Sequence, residues 1–195
     1  MPFNLLKTVQ QNLGYPELKK IDPNTQEVIF DTPVSDQTKL GQAAIPAVLT
    51  GIYKYIETDE GLKTITSVSP NESVTWIEKI FTDAAPELIT KIADYSNSPY
   101  DIANSKVYEI ANEAVRVIKE HLNSPGNILN LRDFMLAQRN NILPYLPAAL
   151  QTGKLLNESA LDDRTNKMKG PVSNFMHGIE TIFSGSDNPD NKDKF

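Results

Sequence analysis

The sequence predicts an all-α protein, a multihelical globular bundle of about seven to nine short helices with corners started by proline. Three observations carry that prediction. Leu, Ile, Val and Phe recur at steps of three and four residues, the period of a helix with one buried face. Most of the 13 prolines stand where a helix should begin. With 195 residues, 39% hydrophobic and 23% charged, the chain has enough apolar material for one domain and too much for general disorder. The expected organisation is one helical domain over residues 1–183 and a polar C-terminal tail over 184–195.

Leu5, Leu6, Val9 and Leu13 share one face of a first helix that Gly14 can close. A turn-rich stretch, IDPNTQ, follows it, and Val28-Ile29-Phe30 after that is the one place where a strand is entertained. Later helix starts are spelled out by their caps. Ser69-Pro70-Asn71-Glu72 sets Ser at the cap, Pro at the first helical position and Glu at the third. Ser98-Pro99-Tyr100-Asp101 is a relative of that pattern, Ala85-Pro86-Glu87 opens another helix, and Gly170-Pro171 opens the last. The longest helix should run from about Pro99 to Leu122, with Ile110, Ala114, Val117, Ile118 and Leu122 as its apolar stripe. Glu109, Glu113, Arg116 and Glu120 then occupy the opposite side.

Two stretches look alike: Ile45-Pro46-Ala47-Val48-Leu49 and Leu146-Pro147-Ala148-Ala149-Leu150. An interior proline removes a helix hydrogen bond and clashes with the preceding turn, and it pushes the residue before it out of the α region. Ile45 and Leu146 are therefore expected to end segments, and Pro46 and Pro147 to begin helices or kink them. The next glycines, Gly51 and Gly153, fall out of register. The pair thus reads as a shared way of starting helices more than as an internal repeat.

The run KLGQAAIPAVLTGIYKYIETDEGLKTI, Lys39–Ile65, resembles the opening of the YidB-like family of bacterial all-helical proteins. That family often shows an Ala/Leu-Pro-Ala-Leu-Leu helix, a short polar stretch and an "EG" turn. Trp76 to Leu122 is similar to its second half, so the resemblance spans about residues 36–122, although the Gly-rich joins common in the family are missing here. It implies a multihelical bacterial fold. Because the family has no established activity, it implies no catalytic residue.

Composition narrows the chemistry. The net charge of −6 and the lack of any dense Lys/Arg cluster argue against nucleic acid as a partner. Without cysteine there are no thiol nucleophiles, disulfides or Cys-ligated metals. Thr152-Gly153-Lys154-Leu155 falls short of a phosphate loop, because Leu replaces Ser/Thr and the earlier glycine is absent. Asp187, Asp190 and Asp193 lack the alternate spacing of a calcium loop. His121, near the end of the long helix, complements the negative end of the dipole, and the Glu-x-x-His pairing of a di-iron bundle fails because Ile118 stands three residues earlier. No cofactor and no metal are expected. The start of the chain shows no cationic and apolar leader, and no stretch approaches the length of a membrane span, so a cytoplasmic location is expected.

Two candidate sites remain. Asp162, Asp163 and Arg164, with His177 nearby in sequence, form the densest polar group outside the tail. Such a group usually caps a helix, but it is where acid–base chemistry or a small-molecule pocket would sit. In PVSNFMHGIETIF, Val172, Phe175, Met176, Ile179, Ile182 and Phe183 share a wide apolar face that could pack on its own domain, dock on a partner or lie in a membrane interface. The polar face of that helix carries Asn174, His177 and Glu180 instead of Lys/Arg, which disfavours a membrane surface. The leading expectation is a non-enzymatic helical protein that acts through protein–protein contacts or self-association. The alternatives are a small-molecule binder or hydrolase-type enzyme near Asp162–Arg164, and peripheral membrane association through the last helix.

Overall fold

A computed structural model describes residues 3–68, 74–123 and 130–158. The chain divides after residue 163 into two units, and all the described residues lie in the first. The expected domain end at 183, the Ser69-Pro70-Asn71-Glu72 and Gly170-Pro171 helix starts, and both candidate sites lie outside the described residues.

Among those residues every regular element is helical, with no strand. Helix α1 spans Leu5–Asn12, α2 Asp36–Tyr55, α3 Asp59–Ser67, α4 Trp76–Phe81, α5 Ala85–Ser96, α6 Tyr100–Leu122, α7 Leu131–Ile142 and the single turn α8 Thr152–Leu155. Short 3₁₀ turns at Thr82–Ala84, Leu143–Tyr145 and Ala148–Leu150 make corners between them. Side-chain caps set four of the starts: Asn4 accepts from the Lys7 amide, Ser35 from Thr38, Thr58 from Gly61 and Asn130 from Asp133. Gly14, at φ +69°, turns the chain after α1 as its position predicts. Pro86 opens α5 as expected. Pro99 is itself the cap of α6, one residue later than the Ser-Pro pattern suggests, and of the predicted stripe Ile110, Ala114, Val117 and Ile118 are buried and Leu122 is partly buried.

Helix α2 organises the rest. Every residue from Leu40 to Ile52 is buried, so this stretch is covered on all sides. It packs most heavily against α5 and α6, and also touches α1, α4, α7 and α8. Small residues let those neighbours close in. A Cβ on Gly41 would come within 2.5 Å of the Tyr15 ring, and one on Gly51 would collide with the ring of Phe81.

Pro46 corrects one expectation. It does not begin α2 but lies inside it, and Ile45, expected to end the preceding segment, is fully buried in mid-helix. The local cost of an interior proline is roughly 3 kcal/mol. Each buried Ile or Leu contributes roughly 1.5–3 kcal/mol, so the many that surround Pro46 offset it. The second stretch behaves as predicted: Leu146 is extended and Pro147 leads into the 3₁₀ turn Ala148–Leu150. The two look-alike stretches are thus a helix interior and a corner. A second correction concerns Val28-Ile29-Phe30, which is not a strand: no second strand exists among the described residues for it to pair with.

Buried glutamines anchor the irregular segments. The Gln42 side chain accepts from the Lys19 amide at 2.8 Å and donates to the Lys19 carbonyl at 3.0 Å and the Tyr145 carbonyl at 2.8 Å. Gln138 accepts from the Leu5 amide at 2.9 Å and donates to the Phe3 carbonyl at 3.2 Å. Gln10 donates to the Tyr15 carbonyl at 2.5 Å. A carboxamide carries the same donor and acceptor as a peptide unit, so each glutamine supplies the bonds that a strand would otherwise have made. Main-chain bonds from Ile21 to Pro144 and from Ala148 to Gln26 complete the seam between residues 19–27 and the corner at 143–149.

Two predictions test this packing. Gly51→Ala should cost about 1–3 kcal/mol in urea unfolding, because the added methyl overpacks against Phe81. The same change in a Phe81→Leu background should cost measurably less. The second concerns alkaline pH. Burial, and then the Glu109 charge, pushes the Tyr15 phenol up from 10.0 to about 12. Burial, and then Glu27, does the same to Tyr95. Both raised values mean stability that is complete below pH 10 and lost as pH climbs from 10 towards about 12. Unfolding free energies measured across that range should fall, and Tyr15→Phe should flatten the fall.

Candidate functional site

The structure places none of the sequence-derived site residues, since Asp162, Asp163, Arg164 and His177, and likewise Val172, Phe175, Met176, Ile179, Ile182 and Phe183, lie outside the described residues. His121 is placed. Its ring stacks on Phe3 with centroids 4.0 Å apart and lies 4.8 Å from that of Phe134, so it joins an aromatic group between the chain start, α6 and α7. It also falls in the last turn of α6, where the sequence puts it. Among the described residues no three His, Asp or Glu side chains gather to hold a metal ion.

An open groove of about 340 Å³ lies where the end of α2 meets the start of α7, lined by Tyr53, Ile56, Glu57, Arg132, Asp133 and Leu136. Its position follows from the caps. Asn130 fixes the first turn of α7 through the Asp133 amide at 3.0 Å, and its own amide group donates to the Asp133 carboxylate at 2.7 Å. That places Arg132 beside the last turn of α2, where it reaches the Ile56 and Glu57 carbonyls, each at a long 3.4 Å. A cation at these carbonyls complements the negative end of α2. The same guanidinium pairs with Asp59 at 2.6 Å.

The other charges on the rim are also arranged. Lys54 pairs with Glu57 at 2.5 Å and with Glu158 at 3.4 Å. Burial pulls the Lys54 ammonium down, but its bonds and charge interactions with the two carboxylates outweigh this and hold it above the usual lysine value. Burial, and then Glu57, pushes the Tyr53 phenol up, against a smaller opposing pull from Arg139. Tyr53 therefore keeps its hydrogen at neutral pH and presents a hydroxyl beside an apolar floor.

Leu136 is the unusual member. The buried stripe of α7 is Leu131, Phe134, Met135, Gln138 and Ile142, at proper helical spacing. Leu136 stands off that stripe, and 61% of it faces solvent. The signal was present in the sequence as a leucine out of phase with its own helix. With an apolar floor and a satisfied polar rim, the groove can seat an apolar side chain and hydrogen-bond around it.

Comparison with protein-family models, with curated proteins and with solved structures gives no match for this chain.

One consequence concerns the groove wall. Arg132→Ala should cost only about 0.3–1 kcal/mol, the usual value of a cation at a helix end. Hydrogen exchange should speed up at the Ile56 amide and leave the Leu40–Ile52 amides protected.

Proposed function

We propose that this protein works by binding another polypeptide, without catalysing a reaction, and that the groove between α2 and α7 is its contact surface. The observation that carries this reading is the exposure of Leu136 directly beside that groove. Other large apolar side chains are exposed too: Ile29, Tyr100 and Ile102 at 56%, 48% and 47%. Single exposed residues of that kind are ordinary on any protein surface. Leu136 differs because it borders a concavity floored by Ile56 and Tyr53, with polar groups already paired around it. That is the layout of a contact centre, with an apolar middle and a polar rim. Among the described residues no helix is long and apolar enough to cross a membrane.

A photo-crosslinking amino acid placed at position 136, and separately at exposed Lys63 as a control, tests the reading in the native host. Covalent adducts to a polypeptide at 136, and few or none at 63, are the expected result. Equal labelling at the two positions, or none at either, would remove the groove from consideration.

A further inference from the structure

The polypeptide that fits this surface is a second copy of the same chain: we infer that two molecules pair through antiparallel α7 helices, with Leu136 beside the twofold axis. This rests on the polypeptide-binding reading above and specifies the partner.

Charge and symmetry select this partner. Asp133 and Arg139 stand three residues before and three after Leu136 on α7. Around the start of α7, Asp59, Arg132 and Asp133 form a group with two carboxylates and one guanidinium, joined by the 2.6 Å Arg132–Asp59 pair. That group carries one net negative charge. The neighbouring group of Lys54 with Glu57 and Glu158 has one ammonium and two carboxylates, and adds a further negative charge at that end. At the other end of the exposed face stands Arg139, half-buried, for which no carboxylate partner exists among the described residues. The surface therefore has a negative end, an apolar middle and a positive end.

A surface of that kind is complementary to itself when turned through 180°. In a twofold interface the same patch serves both molecules, so residue i meets j and j meets i. Running the two α7 helices antiparallel about Leu136 sets each Arg139 against the other copy's Asp133 and Asp59. Arg132 lies on the same side, but Asp59 already neutralises it, and the net interaction is attractive. The two Leu136 side chains meet at the centre, each at the mouth of the other's groove. Ala137, also exposed, is small enough to let the helices approach. A contact built on one helix face and one groove falls below about 1,200 Å², the range of weak and reversible association. Because Asp59 and Asp133 are exposed, association should weaken as salt is raised.

Sedimentation velocity on the full-length chain over a concentration series tests the pairing. The wild type should pass from monomer to dimer as concentration rises. Leu136→Asp, Arg139→Asp and Asp133→Lys should each remain monomeric at concentrations where the wild type is dimeric. An equimolar mixture of the Arg139→Asp and Asp133→Lys chains should regain the dimer, because each altered charge then faces its opposite. Misfolding cannot produce that recovery. Asp59→Lys replaces Asp133→Lys in the mixture if the latter weakens the start of α7. A wild type that is monomeric up to about 1 mM, near the weak limit of specific association, overturns the inference. So does a dimer that survives Leu136→Asp, or a mixture that stays monomeric. If position 136 nevertheless crosslinks to a different protein, the polypeptide-binding reading stands and only the choice of partner fails.

Discussion

The structure depends on the complete burial of helix α2. A helix that is apolar on one face can lie on a surface, but one covered from Leu40 to Ile52 must be surrounded. That requirement recruits α1, α4, α5, α6, α7 and α8 as its wall. It also dictates composition. Gly41, Ala43, Ala44, Ala47 and Gly51 keep the helix thin where the rings of Tyr15 and Phe81 approach. The polar groups on this stretch have to be satisfied internally, and they are: Thr50 donates to the Pro46 carbonyl at 2.7 Å, and Gln42 bonds two chain segments at once.

Such a centre leaves irregular chain in contact with the core, and irregular backbone cannot be buried unpaired. This protein meets the demand with glutamine. Gln42 and Gln10 present their amides to main chain outside the helices, and Gln138 caps the first amide of α1 and holds the Phe3 carbonyl just before it. The seam between residues 19–27 and 143–149, which also takes the Ala149 amide to the Glu27 carboxylate at 2.7 Å, is held by these bonds and a few main-chain ones. The position of α7 follows from that seam and from the grip of Gln138 on the chain start, and with α7 comes the groove. Core packing and the contact surface are therefore linked: the end of α2 and the start of α7 are held by the interactions that close the core, while their outer edges stay open to a partner.

Much of the fold was legible because its rules are local. Cap residues, a proline at a first turn and apolar spacing act within one or two helical turns, so α1 with Gly14, α5 with Pro86 and the buried stripe of α6 could be read directly. Pro46 could not. The local penalty was read correctly, but the burial that outweighs it comes from residues far away in sequence. Val28-Ile29-Phe30 has strand-like residues, yet a strand exists only with a partner, and the seam it adjoins is made from side-chain amides and isolated main-chain bonds. For the contact surface, the off-phase Leu136 was visible in the sequence, but nothing local told whether another helix would cover it.

The sequence by itself determined that the chain is helical, where several helices begin and end, and that thiol chemistry is absent. Those facts depend on residue identity and near neighbours. Only the tertiary structure decided which helix lies at the centre, which glutamines are buried as backbone anchors, and that Arg132 meets the end of α2 and leaves an open groove beside Leu136. These depend on packing between residues scores of positions apart. Burial, the largest favourable contribution to folding, is proportional to area and has no direction along the chain.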